Sequence, residues 1–199
     1  MSTPRHERVD LDLIESWVPQ GASVLDLGCG DGSLLARLAA SRGISGYGVE
    51  IDDAKVHGCI RNGVNVIQQD LEAGLAMFDD QSFDVVILSL TLQSMRNTET
   101  ILREIARVGR KGIVSFPNFG HWYHVWSIAT GHMPVSKNLP YEWFNTPNIH
   151  LCTVSDFEVL AGRIGLTITE RQVFANGRPI KWLPNLRGTL AVYAISPRS

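Results

Sequence analysis

The sequence has few cysteines, no basic block and no long apolar run, and each of these absences narrows what the protein can be. Its three cysteines, Cys29, Cys59 and Cys152, are scattered and form no C-x-x-C pair, which predicts reduced thiols and no zinc site. Eighteen basic residues against twenty acidic ones argue against sequence-independent binding to nucleic acid. No apolar run reaches the length of a membrane span, and residues 1–9 lack the apolar core of a secretion signal. We therefore expect a cytoplasmic protein that binds neither membranes nor nucleic acid.

What the sequence does have is enough apolar residues for one ordinary domain. With 199 residues and a hydrophobic content of 44%, the chain is long enough to bury roughly 70% of the surface of its unfolded state. It contains no internal repeat, no linker and no low-complexity tract. We therefore predict a single domain over residues 1–199.

A glycine-rich stretch from Val24 to Gly32, with the sequence V-L-D-L-G-C-G-D-G, is the strongest motif of the chain. Branched apolar residues open it, and leucines and alanines at helical spacing follow it, which is typical of a strand, a tight turn and a helix. Gly28 and Gly30 allow the backbone to turn sharply and let a ligand approach closely. The pattern predicts the first strand–turn–helix unit of a parallel α/β fold that binds a nucleotide.

The residues around this turn indicate which nucleotide is bound. The dinucleotide fingerprint G-x-G-x-x-G would need a further glycine where this chain has Ser33. Asp26 and Asp31 would repel a pyrophosphate at the start of the helix, whereas they would favour a ligand that carries an ammonium or sulfonium charge. We therefore do not expect NAD to bind.

A second acidic position supports a nucleoside ligand. Glu50 ends the predicted second strand, twenty positions after Gly30, which is the distance at which such a unit places the acid that binds ribose. A carboxylate can accept hydrogen bonds from both ribose hydroxyls. The alternative is a solvated acid at the end of a strand.

At these motifs the chain resembles the class I S-adenosylmethionine (SAM)-dependent methyltransferases. The resemblance implies SAM as the cofactor, S-adenosylhomocysteine as its demethylated form, and a Rossmann-like α/β fold. That fold has a mostly parallel seven-stranded sheet, helices on both faces and a C-terminal antiparallel hairpin. The resemblance also implies that Asp70 contacts the adenine amino group and that the backbone of Leu71 meets the ring, while a capping role for Asp70 stays open. The predicted cofactor residues are Asp26, Gly28, Cys29, Gly30, Glu50, Ile51, Asp70, Leu71 and Ser89.

Two aromatic blocks narrow the resemblance further. Together with the glycine turn and residues 50–52, the stretches Phe116–Trp122 and Tyr141–His150 resemble the MetW family of bacterial methionine-biosynthesis proteins over nearly the whole chain. The resemblance implies an accessory or regulatory partner of homoserine O-acyltransferase. The alternative is a SAM-dependent methyltransferase that acts on a small-molecule acceptor, so enzymatic activity is left open.

The long aromatic segment from Gly120 to His150 follows the fifth predicted strand, at the edge where open α/β sheets bind ligands. We predict that this insertion covers the methyl end of the cofactor. It contains His121, His124 and His150, which are candidates for a catalytic base if the methyl acceptor must lose a proton. A structural role is the alternative for each of them. No set of carboxylates and histidines indicates a metal site.

Overall fold

A computed structural model describes residues 8–198, in which strands and helices alternate along most of the chain. The strands are β1 (Ser23–Leu27), β2 (Ser45–Glu50), β3 (Val66–Gln68), β4 (Phe83–Ser89), β5 (Gly109–Pro117), β6 (Leu166–Ala175), β7 (Arg178–Ile180) and β8 (Leu190–Pro197). The helices are α1 (Val9–Trp17), α2 (Ser33–Arg42), α3 (Asp53–Arg61), α4 (Thr98–Val108), α5 (Trp122–Ala129), α6 (Val154–Arg163) and α7 (Pro184–Arg187). Two 3₁₀ turns, Leu71–Ala73 and Leu92–Ser94, follow β3 and β4.

The strands form one sheet in the order β3-β2-β1-β4-β5-β8-β6-β7. The first five are parallel, whereas β8 runs antiparallel between β5 and β6. The predicted fold class is thereby confirmed: an α/β protein with a mostly parallel sheet and an antiparallel C-terminal part.

The predicted count of seven strands is wrong by one, because Arg178–Ile180 forms an additional edge strand paired with β6. Asn176 and Gly177 adopt positive φ angles of 49° and 75°, which makes the two-residue hairpin turn that Asn-Gly favours. The strand is short and contains Pro179, which lacks a backbone N–H and is therefore tolerated at the edge of a sheet.

Helices cover both faces of the sheet, and each face has its own hydrophobic core. On one face, α4 and α6 contribute Leu102, Ile105 and Phe157; on the other, α1 and α2 contribute Ile14 and Leu38. All five side chains are fully buried. This two-sided burial explains why the central strands read as continuous apolar runs in the sequence.

The order of the strands defines where a ligand would bind. The chain runs outward from β1 through β2 to β3 and then crosses to β4 on the other side of β1. Open α/β sheets bind ligands beyond the carboxyl ends of the strands at such a switch point. Leu27, Glu50, Gln68 and Ser89 end the four strands at this edge.

The segment from Gly120 to His150 starts with α5, which the sequence pattern did not identify. The path of this segment is fixed by Asn118, which is fully buried just before the segment begins. The side-chain NH₂ of Asn118 donates to the carbonyls of Asn185 and Gly188. Its Oδ1 accepts from the N–H groups of Gly120 and Val154. Further on, the backbone N–H groups of residues 149 and 150 donate to the Gln93 carbonyl at 2.8 and 3.0 Å. The segment thus returns to the carboxyl end of β4. Within residues 8–198, no helix is both long and apolar enough to cross a membrane.

Candidate functional site

The glycine turn lies at the switch point and is held against β2. The N–H groups of Gly28 and Cys29 both donate to the Val49 carbonyl, at 2.8 and 3.1 Å. Gly28 and Gly30 have φ angles of 69° and 60°. A Cβ atom on Gly28 would lie only 2.7 Å from Thr91 Oγ1, whereas one on Gly30 would point into open space. Gly28 is therefore required by packing, and Gly30 leaves room for a ligand.

Cys29 contributes its backbone rather than its thiol to this turn. Cys29 is buried, and its sulfur atom lies 3.6 Å from the sulfur atom of Cys59. Burial raises the pKa of both thiols, so both are neutral at physiological pH. A thiolate at Cys29 therefore has no part in the chemistry of the site.

Glu50 is the best-positioned polar group of the site. Its Oε2 accepts from Gly30 N at 3.0 Å, and its Oε1 accepts from Ile51 N at 2.9 Å and Asp52 N at 3.1 Å. The residue is only 5% exposed, so it is not a solvated acid at the end of a strand. A carboxylate has about four acceptor positions, and three are filled by the protein. The carboxylate is therefore fixed beside the glycine turn and can still accept from a ligand.

Asp26 places a second, unusual carboxyl group beside the turn. It is only 2% exposed, and burial raises its pKa to about 7. The guanidinium of Arg8 opposes this shift, and the charge of Glu50 adds to it. A positively charged ligand group would relieve the penalty of ionising Asp26, so the site is suited to an ammonium or sulfonium group and not to a phosphate.

Three more predicted cofactor residues, Ile51, Asp70 and Leu71, lie after the ends of β2 and β3. Ile51 follows β2 and is 59% exposed, which is unusual for its type and would offer a surface to a planar ring. Asp70 Oδ1 accepts from Glu72 N at 2.9 Å and caps the 3₁₀ turn that begins at Leu71. The capping role that was left open for Asp70 is thus realised. The side chain of Leu71 is buried, so only its backbone could meet a ligand.

At the end of β4, Ser89 joins a polar cluster that the sequence analysis missed. Its hydroxyl accepts from Arg8 Nη2 at 2.7 Å and lies 3.2 Å from the Ser115 hydroxyl. Arg8 also forms a bidentate ion pair with the buried Asp10, with Nε 3.0 Å from Oδ1 and Nη2 2.5 Å from Oδ2. An arginine and an aspartate two positions apart at the start of a helix are too common to be recognised as a site, so sequence reasoning had no usable signal here.

His121 and His124 meet after β5, with ring centroids 5.6 Å apart. His121 Nδ1 accepts from Tyr123 N at 3.3 Å and caps α5. His124 is buried with Nε2 3.0 Å from the Ser136 hydroxyl, while its Nδ1 has no hydrogen-bond partner among the residues that the structure describes. Burial lowers the pKa of both imidazoles, so both are neutral at physiological pH.

His150 does not join the other two histidines. Its Nε2 lies 3.2 Å from the Arg96 carbonyl, in a groove between the stretch after β4 and α6 that also includes Asp156 and Leu160. The structure therefore brings two of the three candidate bases together and places the third in a separate groove.

A cavity of about 1040 Å³ adjoins the Ser89 cluster and lies under α5. Six segments line it: the start of α1, the end of β4, the start of α5, residues 136–138, the β6–β7 turn and residues 189–190. His121 and His124 face it, together with Arg8, Lys137 and Arg178. No group of three His, Cys, Asp or Glu side chains within residues 8–198 is arranged to hold a metal ion.

Comparison with known proteins relates the chain to one sequence family. A family model described as methionine biosynthesis protein MetW matches residues 8–195. The bifunctional methionine biosynthesis protein MetXA/MetW of Rhodopirellula baltica is 37% identical over 172 residues, which are 81% of this chain and 28% of that protein. A demethylmenaquinone methyltransferase of Bacillus licheniformis is 32% identical over 106 residues, 48% of this chain and 43% of the relative. The chain therefore spans less than half the length of each of these two proteins.

A solved structure supports the assignment of the fold. A SAM-dependent methyltransferase from Mesorhizobium loti superimposes with a TM-score of 0.71, over 95% of this chain and 98% of that one, at 18% sequence identity. At that level of identity, the similarity establishes a shared methyltransferase fold.

Proposed function

The chain belongs to the MetW family of methionine biosynthesis proteins, and on that premise we propose that it binds SAM and supports a homoserine O-acyltransferase as an accessory partner. One observation carries the cofactor assignment. Glu50 is buried and held by three backbone N–H groups directly beside Gly30, whose missing side chain leaves space for a ligand.

The parts of SAM match the chemistry along this edge. Glu50 accepts from a ribose hydroxyl at its remaining acceptor position, and the apolar side chain of Ile51 contacts one face of the adenine. Asp70 and the Leu71 backbone receive the polar edge of the ring. Asp26 faces the methionyl ammonium, whose positive charge favours the ionised carboxylate. Asp26 and Asp31, which lie at the glycine turn, would repel the pyrophosphate of NAD.

The partner is suggested by the relative from Rhodopirellula baltica. Its name joins MetXA to MetW in one bifunctional protein, and the family resemblance implies a homoserine O-acyltransferase as the partner. Units that are combined in one chain in one organism are good candidates to associate as separate chains in another. We therefore assign a homoserine O-acyltransferase as the protein that this chain binds.

An exposed apolar surface on α5 and α7 provides a place for that partner. Trp122, Val125, Trp126 and Leu186 line a shallow apolar depression of about 340 Å³. Trp126 is 64% exposed, and contiguous exposed apolar groups of this size mark interaction sites. Tryptophan is also the residue type most enriched among side chains that dominate binding energy.

Co-purification with a homoserine O-acyltransferase tests the accessory role. We expect the two proteins to associate at about micromolar concentration, corresponding to roughly −8 kcal/mol, and the acyltransferase rate to rise in the complex. Trp126→Glu should abolish association and leave SAM affinity unchanged. Ile60→Glu is the matched control, because Ile60 is 62% exposed on α3, away from this surface. Failure of the wild-type proteins to associate would contradict the accessory role.

A second function, methyl transfer to a small acceptor, is favoured by the cavity next to Ser89. SAM supplies a methyl group on an activated sulfur, so the protein mainly has to position the acceptor and exclude water. The name of the Bacillus licheniformis relative identifies it as a methyltransferase that acts on a small molecule. Incubation with labelled SAM and a cell extract tests this function: label in a small-molecule fraction supports it, and label that stays entirely in SAM contradicts it.

A further inference from the structure

We infer that the cavity beneath α5 is a binding site for a small organic anion, whose charged head is held by Lys137 and Arg178 while its apolar body contacts the cavity wall. The inference depends on the proposed function only for the biological role of the site, since Arg8 and Asp10 in its lining hydrogen-bond to Ser89, one of the predicted cofactor residues. The binding itself needs no cofactor.

Lys137 is presented to the cavity by a closed turn. Ser136 N donates to the Leu139 carbonyl at 2.9 Å, and Leu139 N donates back to Ser136 at 3.1 Å. Leu139 is buried, and the side chain of Asn138 donates to the Thr189 carbonyl at 3.0 Å. The backbone that carries Lys137 is therefore fixed, although the side chain itself is exposed.

Arg178 is positioned by an equally well-defined turn. It pairs with Ala175 across the two-residue turn of Asn176 and Gly177, both of which adopt the left-handed conformation. This is the turn type whose twist matches that of the flanking strands. Arg178 follows the turn directly and lines the cavity together with Asn176 and Gly177.

The charges that line the cavity are not balanced. Among the described residues of the lining, Asp10 is the one carboxylate, and it already accepts two hydrogen bonds from the Arg8 guanidinium. Neither Lys137 nor Arg178 forms an ion pair with any residue in the range 8–198. Two unpaired cations facing one concave space attract an anion, and they bind a carboxylate or phosphate through charge-assisted hydrogen bonds.

The rest of the lining suits a small molecule with an apolar body. Leu90, Phe174 and Leu190 supply apolar surface between the polar groups. His121 Nδ1 accepts from Tyr123 N, so we assign the proton of the neutral ring to Nε2, which makes this nitrogen a donor. A donor, two cations and an apolar wall are complementary to an organic anion. Because six separate segments surround the space, it fits a compact ligand better than an extended peptide.

Calorimetric titration with phenylbutyrate and its neutral analogue phenylbutanamide tests the inference. The two probes share one body and differ in the charged head. We expect phenylbutyrate to bind at about millimolar affinity or better, with the amide at least tenfold weaker, which corresponds to about 1.4 kcal/mol. Arg178→Gln and Lys137→Gln should each weaken phenylbutyrate binding several-fold. Arg61→Gln, which removes an exposed cation at the end of α3, should not change it.

Two results would overturn the inference: equal binding of the amide and the carboxylate, or phenylbutyrate binding that survives loss of both cations. The same variants separate this inference from the SAM site. Arg178→Gln should keep wild-type SAM affinity, and Glu50→Gln should lose SAM affinity but keep phenylbutyrate binding. Absence of SAM binding alone would not contradict the anion site, and absence of phenylbutyrate binding alone would not contradict the SAM site.

Discussion

Replacing Glu50 by glutamine removes one charge from the centre of the proposed ribose site and changes little else in size. In the wild-type protein both carboxylate oxygens accept backbone N–H groups, and the residue is almost fully buried. Glutamine keeps one acceptor oxygen, while its amide group can only donate. At least one ribose hydroxyl therefore loses a charged acceptor, an interaction worth roughly 1.5–3 kcal/mol. We expect SAM affinity to fall by roughly ten- to 150-fold.

The same substitution has a second, separable effect on folding. An amide NH₂ placed against Gly30 N, or against the N–H groups of Ile51 and Asp52, leaves a buried donor without an acceptor. Such a loss lowers the free energy of unfolding by roughly 1–3 kcal/mol. Thermal unfolding of Glu50→Gln must therefore be measured beside calorimetry with SAM, at a temperature where the variant is folded. Glu50→Ala is the poorer choice, because it would remove the acceptor of all three N–H groups at once.

Asp52→Asn is the matched control for this prediction. It removes one negative charge two residues away, and asparagine caps a helix about as well as aspartate does. Asp52 Oδ1 caps α3 by accepting from Lys55 N at 3.0 Å, a bond that asparagine can keep. We expect SAM affinity within roughly threefold of wild type, about 0.6 kcal/mol. Wild-type affinity in a folded Glu50→Gln variant would refute the ribose assignment.

Two further predictions concern the glycine turn and its buried acid. Because burial raises the pKa of Asp26 to about 7, ionising it in the free protein is unfavourable, and the cationic methionyl group should lower that pKa on binding. SAM binding should therefore release a proton and strengthen as the pH rises through 7. The free energy of unfolding of the free protein should fall as the pH rises from about 4 to 7. Asp26→Asn should lack both pH dependences, and calorimetry in buffers of different ionisation enthalpy measures the released proton directly. Gly30→Val should abolish SAM binding, because its side chain would project into the space left for the ligand from a backbone with positive φ; unchanged affinity in a titration would place the ligand elsewhere.

The parts of the site that could be predicted are those encoded locally. The strand, turn and helix around Gly28 are specified by a short pattern, and the structure has β1 and α2 on either side of this turn. Glu50 was found because the spacing between a glycine turn and the end of the next strand varies little in such units. Burial and hydrogen bonding of this acid then follow from the pairing of β1 with β2.

The parts that could not be predicted depend on contacts between distant segments. Arg8, Lys137 and Arg178 share one cavity although they lie far apart in the chain, and no local pattern marks any of them. Strand β7 was missed because its three residues, which include Pro179, carry no strand periodicity. The separation of His150 from His121 and His124 depends on a backbone contact with Gln93, which sequence spacing does not show.

Calorimetric titration of the purified protein with SAM, S-adenosylhomocysteine and NAD tests whether this fold binds SAM at the edge formed by Glu50 and the glycine turn. We expect saturable binding of both SAM and S-adenosylhomocysteine at one site per chain, with no detectable heat from NAD. Absence of SAM binding, or NAD binding of comparable affinity, would contradict it.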